Sequence, residues 1–354
     1  MHLNSQGIRL REARKKAGFP TAKSFIEKYN LKQSTYSAHE SGRNALTLKS
    51  AKLYGNLLNI DPIWLMTGSY TESNTENIKN LYKKIIDNKT YSVDNRVPAE
   101  NQLDFLQSIH GPDSIAFLHK IGLTSGMTVT DLSCYNGAMT CLLAEWVGSN
   151  GQINAFHDNK AILDQAVIKA QTRNITNIVF NHINFDALNQ PIALPNTDII
   201  YSRFFLHRIN NTDEILMKIK KSMSPNTLLV LECCTHKYFE LLPEGKNFNI
   251  ARKLLLDYGA SENLDYNIGE SIYRKLISHG FKVHSVHMVQ PVAIAPHEKR
   301  MMEYITENLQ NNYIKAGLCS QNEIEILMKE LPRETQEDNA TMLYTRTTQI
   351  CASL

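Results

Sequence analysis

No stretch of the 354-residue chain approaches the roughly 18–20 uninterrupted apolar residues of a membrane-spanning helix. The opening MHLNSQGIRLREARKK is polar and basic, with no apolar segment behind it to act as a leader. A soluble, cytoplasmic protein with no membrane partner is therefore expected. Cysteine is scarce: Cys134, Cys141, Cys233, Cys234, Cys319 and Cys351 include no C-x-x-C pair and lie mostly in apolar surroundings, as reduced thiols do. A zinc site at Cys233, Cys234 and His236 is disfavoured, because adjacent cysteines rarely both reach one tetrahedral ion, and no metal is expected. No internal repeat is visible.

Charge is nearly balanced over the whole chain, at +3, but not along it. Residues 1–68 hold eleven Lys and Arg against four Asp and Glu, so a head of +7 precedes a body of −4. A compact basic head suits phosphate binding, the main source of non-specific DNA affinity. The length allows two domains, each with its own core.

The head has helical punctuation throughout. Leu10, Ala13 and Ala17 repeat at helical spacing and stop at Gly18-Phe19-Pro20; Thr21 caps a second helix carrying Ala22, Phe25, Ile26 and Tyr29. A turn at Asn30-Leu31 leads to a polar helix over 33–40, and Thr47 caps another carrying Leu48, Ala51, Tyr54 and Leu58. Asp61, Pro62 and Gly68 mark a last helix. Residues 69–99 have linker composition, with one short helical pattern in 77–87. In the body, from residue 100 to 354, β-branched runs at 127–132, 152–156, 178–180, 197–201 and 227–232 alternate with helical patterns at 137–147, 159–172 and 212–222. That alternation predicts a parallel sheet wrapped by helices. Helices near 248–259, 268–279, 296–316 and 321–330 and strands at 281–289 and 341–350 complete the pattern.

Residues 7–68, with Q-S-T-Y-S-x-H-E-S-G-R at 33–43 and D-P-x-W-L-x-T-G at 61–68, resemble the Cro/C1-type (XRE-like) helix-turn-helix family. The resemblance implies a double-stranded DNA partner, with the third helix in the major groove and a homodimer on symmetric half-sites. It makes Gln33, Ser34, Thr35 and Ser37 base-reading candidates and Arg9, Arg14, Lys32 and Arg43 phosphate contacts. Tyr36 fits either the core or the DNA, and Glu40 is expected to be an internal structural acid.

The segment 127–147, MTVTDLSCYNGAMTCLLAEWV, resembles the first motif of class I S-adenosylmethionine (SAM) dependent methyltransferases, and D-I-I-Y-S-R-F-F-L-H-R at 198–208 resembles a stretch of their small-molecule members. Residues 100–354 are similar to UbiE-like enzymes. The fold implied is an all-α helix-turn-helix domain joined to an α/β Rossmann-like domain with a mostly parallel seven-stranded sheet and helical C-terminal additions. In the family's D-x-G-x-G-x-G loop, missing side chains let backbone approach the cofactor. Here Asp131 is followed by Ser133, Tyr135 and Gly137, so two of three glycines are replaced. His157 stands where the ribose-binding acid is usual, with Asp158 one residue later. Asn184, Phe185 and Asp186 occupy the adenine loop, and the resemblance makes Asp131, Ser133, Tyr135, Gly137, His157, Asp158, Asn184, Phe185 and Ser202 the cofactor-binding candidates. His207 is the first candidate for a general base, with His110, Tyr201 and Tyr238 behind it.

Three functions stay open on these residues. One is a DNA-binding regulator whose body binds SAM and methylates a small molecule. Another is a regulator whose body has lost catalysis and senses a ligand, SAM or a replacement, or serves dimerisation. The third and weakest is a nucleic-acid methyltransferase, for the loop after strand four is Tyr201-Ser202-Arg203-Phe204 and lacks the N/D-P-P-Y/F pattern of base-amine methylation.

Overall fold

In the computed structural model the described residues are 6–44, 46–58, 60, 65, 99–185 and 197–354, excepting the side chains of 48, 49, 52, 56 and 99–102. The expected linker at 69–99 and the helical pattern at 77–87 lie outside them, apart from Ala99, as does nearly all of the expected fifth head helix. The chain forms two compact units, residues 1–84 and 85–354.

The first unit holds α1 (Gln6–Lys16), α2 (Ala22–Lys28), α3 (Gln33–Glu40) and α4 (Leu48–Leu58). The caps are those the sequence advertises: Thr21 Oγ1 accepts from Ser24 N at 3.1 Å, and Thr47 Oγ1 from Ser50 N at 3.2 Å. Leu10, Ala13, Phe25, Ile26, Tyr36, Ala51, Tyr54, Leu58 and Leu65 form the core. Tyr36 is therefore a core residue, with its ring 5.2 Å from both Phe25 and Tyr54. Two of the expected phosphate contacts are corrected. Arg9 and Arg14 are buried, with Arg9 Nε donating to Leu65 O at 3.1 Å and Arg14 Nε paired with Glu40 Oε1 at 2.7 Å. Glu40 is the internal acid expected, also accepting from the Tyr36 hydroxyl at 3.4 Å. By contrast Lys32, Gln33, Ser34, Thr35 and Arg43 are exposed, and Ser37 is half-buried.

The second unit begins with α5 (Ala99–Lys120), a helix that the sequence pattern does not mark. Then come β1 (Thr128–Asp131), α6 (Ala138–Val147), β2 (Gln152–His157), α7 (Lys160–Thr172), β3 (Ile178–His182), β4 (Ile199–Arg203), α8 (Thr212–Ser222) and β5 (Leu228–Thr235). The remainder holds β6 (Glu240–Leu242), α9 (Lys246–Ser261), α10 (Ile272–Ser278), β7 (Lys282–Val289), β8 (Val292–Ala293), α11 (Met301–Lys315), α12 (Gln321–Thr335), β9 (Thr341–Leu343) and β10 (Arg346–Ser353). The seven-stranded sheet runs β3-β2-β1-β4-β5-β10-β7. The first five are parallel, and β10 is antiparallel to both its neighbours. The single strand expected at 341–350 is two strands: β9 joins a small sheet in the order β6-β9-β8, while β10 enters the main one. Beside this small sheet α9, α11 and α12 pack into a second core around Phe248, Tyr313 and Leu331.

Strand order reverses between β1 and β4, since β2 and β3 extend to one side and β5 onward to the other. Crevices at such switch points, outside the carboxyl ends of the strands, are where open α/β sheets bind ligands. No helix among the described residues is long and apolar enough to cross a membrane.

Substitutions at Glu40 and Gly137 test this packing, with Lys32 and Arg43 as exposed controls. Glu40→Ala leaves the Arg14 guanidinium buried without its counter-ion, holding, among the described residues, only its bond to Phe19 O, a cost of about 3–5 kcal/mol, whereas Lys32→Ala and Arg43→Ala stay within about 0.5 kcal/mol; chemical unfolding of the full chain followed by circular dichroism reads the difference. Gly137 has φ of +78° and an added Cβ would lie 2.9 Å from Ala166 Cβ on α7. Gly137→Ala should therefore cost about 1–3 kcal/mol in the same measurement.

Candidate functional site

The turn from β1 to α6 is organised by one carboxylate. Asp131 is 1% exposed; its Oδ1 accepts from Ser133 N at 3.2 Å and its Oδ2 from Thr140 Oγ1 at 2.7 Å. Both oxygens thus close the loop on itself and on the first turn of α6. Burial pushes its pKa up to about 6, against the pull of these hydrogen bonds and of Arg203. Asn136 Oδ1 accepts from Ala138 N at 3.3 Å, Cys134 N donates to Phe156 O at 3.0 Å, and so the loop is tied to β2 as well.

Tyr135 takes a left-handed backbone, φ +47°, that an expected glycine would adopt freely. Its hydroxyl crosses the switch point and donates to Phe204 O, where Phe204 is itself left-handed at φ +51°. The Tyr135 ring also meets His157 at 5.6 Å and the Arg208 guanidinium at 5.5 Å. His157 is 1% exposed, and its Nδ1 accepts from Asn159 N at 2.9 Å. Burial and then Arg208 hold its pKa down to about 4, so the ring is neutral near pH 7. Asp158 does not replace it as an unengaged acid: Arg208 Nη2 donates to both its oxygens, at 3.1 and 3.2 Å.

Above the crevice lies α5. Arg203 donates to Gln107 Oε1 and, at 3.1 Å, to Ser114 Oγ. Ser114 Oγ donates to Glu232 Oε2 at 2.9 Å, the Tyr201 hydroxyl to Glu232 Oε1 at 2.6 Å, and Gln349 Nε2 to Glu232 Oε2 at 3.0 Å. Every member of this network is buried. The cavity left between α5 and the loop is about 20 Å³, lined by Leu103, Leu106, Met139 and Phe204 besides Asp131 and Tyr135. That is room for about one water molecule, against the ~300–1,000 Å³ of ordinary ligand pockets.

The structure brings together only part of the expected set. Asp131, Ser133 and Tyr135 line the cavity, and His157 and Asp158 stand beside it. Gln107 on α5 and Tyr201, Arg203 and Glu232 beneath it are polar residues of this site, of which the sequence singles out Tyr201 alone. Ser202 is a correction: strand alternation puts it on the opposite face of β4 from Tyr201 and Arg203, which line the cavity. Phe185 is another, for its ring packs 4.6 Å from Phe205 inside the main core. Asn184 is exposed, and Asp186 lies outside the described residues. His207 is away from the cavity, against His236 and Tyr266 at 5.9 and 5.4 Å, and burial drives its pKa well below the usual range. His110, on α5, is buried with neither ring nitrogen hydrogen-bonded, its pKa held down to about 3 by burial and then by Arg203 and His236. Tyr238 is half-buried, its hydroxyl bonded to Glu270 at 3.2 Å.

Residues 123–271 match the family model described as a methyltransferase domain. A demethylmenaquinone methyltransferase of Lactobacillus johnsonii is 25% identical over 138 residues, which are 36% of this chain and 56% of that protein, so the chain spans little more than half the length of that relative. Among solved structures, a SAM-dependent methyltransferase from Aquifex aeolicus aligns with 58% of this chain and 90% of its own at 17% identity and a TM-score of 0.39. A methyltransferase from Mesorhizobium loti aligns with 68% and 96% at 14% identity and a TM-score of 0.40. Residues 123–271 thus match a methyltransferase domain, and they hold the parallel strands β1 to β5 of the seven-stranded sheet.

Proposed function

We propose that the body binds SAM in the crevice over β1 and β4 and transfers its methyl group to a small-molecule acceptor, and that the head carries this domain on double-stranded DNA as a regulator. The observation that carries the first half is the β1–Asp131–loop–α6 unit at the point where strand order reverses. Methyl transfer from a sulfonium is an in-line displacement in which the cofactor supplies the chemistry and the protein supplies orientation and dryness. Asp131 holds the loop whose backbone would face the cofactor's amino-acid end, and the buried Arg203 acts on the Asp131 carboxylate through its charge. Tyr135 and the α5 side chains exclude water. No protein base is needed where the acceptor is a thiolate or a carbanion; the demethylmenaquinone enzyme acts, by its name, on a quinone, and an acceptor of that kind fits this reading.

A second reading is favoured by one specific feature. Tyr135 fills the clearance that glycine would leave and is bonded across the crevice to Phe204, with His157 in the ribose position. In that reading the body is a ligand-sensing or dimerisation domain whose occupancy changes DNA affinity through a preference for one arrangement of the chain.

For the head, exposure of Lys32, Gln33, Ser34, Thr35 and Arg43 on and around α3 supports a role in DNA contact that the buried Arg9 and Arg14 cannot share. A homodimer on paired half-sites is part of the same reading.

Calorimetric titration of the full chain with SAM and with S-adenosylhomocysteine decides between the two readings. Micromolar binding, lost in Asp131→Ala and accompanied by methyl transfer to a quinol, phenol or thiol acceptor, supports the enzyme; a folded chain that binds neither compound supports the second. For the head, anisotropy of a labelled duplex should show affinity falling with salt, with Lys32→Ala and Arg43→Ala each lowering the slope of log K against log salt by about 1. A folded chain with no affinity at low salt, about 50 mM, removes the DNA reading.

A further inference from the structure

Three metal-ligating side chains meet at the carboxyl ends of β4 and β5, outside the crevice over β1. His207 lies in the short 3-10 turn Leu206–Arg208 after β4, Cys234 near the end of β5, and His236 just past it. Their donor atoms all lie within 4.8 Å of one another. Backbone alternation explains the grouping. Cys234 and His236 are two residues apart on extended chain and so share a side, while Cys233 between Glu232 and Cys234 turns the other way into the core with Leu231 and Ile350. Neighbouring cysteines thus serve different purposes, and a histidine about thirty residues upstream supplies the third donor.

The Nδ1 atoms of His207 and His236 are buried and have no hydrogen-bond partner. Buried polar atoms in folded proteins are almost always paired, so two such orphans, on imidazoles whose donor atoms come within 4.8 Å of each other and of a buried thiol, call for an occupant. The surrounding wall holds the three in place. His236 N donates to Tyr266 O at 3.1 Å, and the Tyr266 ring packs 5.4 and 5.7 Å from the two imidazoles. Gly269 lies so close to the Cys233–Thr235 backbone and side chain that an added Cβ would be 2.6–3.0 Å from them.

We infer that His207, Cys234 and His236 bind one divalent cation of zinc's class. Two imidazole nitrogens and one thiolate suit a borderline-soft ion, and three protein ligands leave a fourth tetrahedral position for water or a bound molecule. With Zn–N near 2.0–2.1 Å and Zn–S near 2.3 Å, tetrahedral donors sit roughly 3.3–3.8 Å apart, so side-chain rotation inward by about 1 Å completes the set. Burial already keeps both imidazoles in the neutral, ligating form, with His236 lowered to about 4. Burial keeps the Cys234 thiol protonated. Binding therefore replaces the S–H bond with a metal–sulfur bond and releases one proton to solvent.

The site is independent of whether the crevice takes a methyl donor, and its test is spectroscopic. Reduced full chain, freed of metal by a chelator, is titrated with Co²⁺. The expected result is one equivalent bound, a thiolate-to-cobalt charge-transfer band, d–d bands of tetrahedral intensity, and displacement of both by Zn²⁺. Cys234→Ser should abolish the charge-transfer band and Cys233→Ser should keep it, while His207→Gln and His236→Gln each weaken binding at least tenfold. Circular dichroism confirms that each variant is folded. Absence of a charge-transfer band in the folded wild type, a band that survives Cys234→Ser, or affinity unchanged by both histidine substitutions overturns the assignment.

Discussion

Arg203 on β4 and Glu232 on β5 are register partners, buried side by side beneath α5, and the site is built around keeping both charges satisfied there. Taking two ions out of water costs several kcal/mol each unless hydrogen bonds replace the lost hydration. The replacements come from far along the chain: Gln107 and Ser114 on α5, Tyr201 on β4 and Gln349 on β10. Half of these partners belong to α5, so the helix cannot leave the sheet without stranding a charge. The position of α5 over the strand ends is a consequence of that constraint, and so is the narrowness of the crevice below it.

For SAM to bind in this crevice as proposed, the Tyr135–Phe204 bond and the α5 contacts would have to give way. Affinity measured from outside is then the intrinsic affinity multiplied by the fraction of chains that are open. The same closure that weakens binding makes it informative, because occupancy and the position of α5 become linked quantities. An enzyme with an eroded glycine loop and a ligand sensor built on a methyltransferase fold therefore share one geometry. They differ in which ligand the crevice admits and in whether a methyl group moves once it is bound.

Much of the fold was legible because it is written locally. Thr21 and Thr47 cap the helices they were expected to cap, and the alternation of β-branched runs with helical ones marks β1 to β5 within a few residues. Distant pairing was not legible. Arg14 reads as one more surface cation until Glu40, 26 positions away, is folded against it, and a charge count treats both as solvated. The helix α5 carries Pro112 in its interior and is apolar on several sides, so it lacks the periodic stripe that announces a surface helix. Within the site, the motif located Asp131, Ser133 and Tyr135, but not Arg203 or Glu232, whose roles depend on strand register. Its place in the motif points Ser202 to the cofactor, whereas the period of two along β4 sets it on the opposite face from Tyr201.

The five residues directly after β4 connect everything at this end of the sheet. Phe204 accepts the Tyr135 hydroxyl, Phe205 packs on Phe185 from the loop after β3, and Arg208 clamps Asp158 at the end of β2 while covering the Tyr135 ring. His207, between them, faces the opposite way toward Cys234 and His236. Such a short turn has little freedom to move one residue without its neighbours, and Phe204 is already held in a left-handed conformation. A cation drawing His207 toward β5 would therefore pull on the same backbone that carries the Phe204 carbonyl and the Arg208 guanidinium. The two groupings are chemically separate, yet the turn gives each a mechanical hold on the other, and a ligand in the crevice and an ion beside it would be felt through the same five residues.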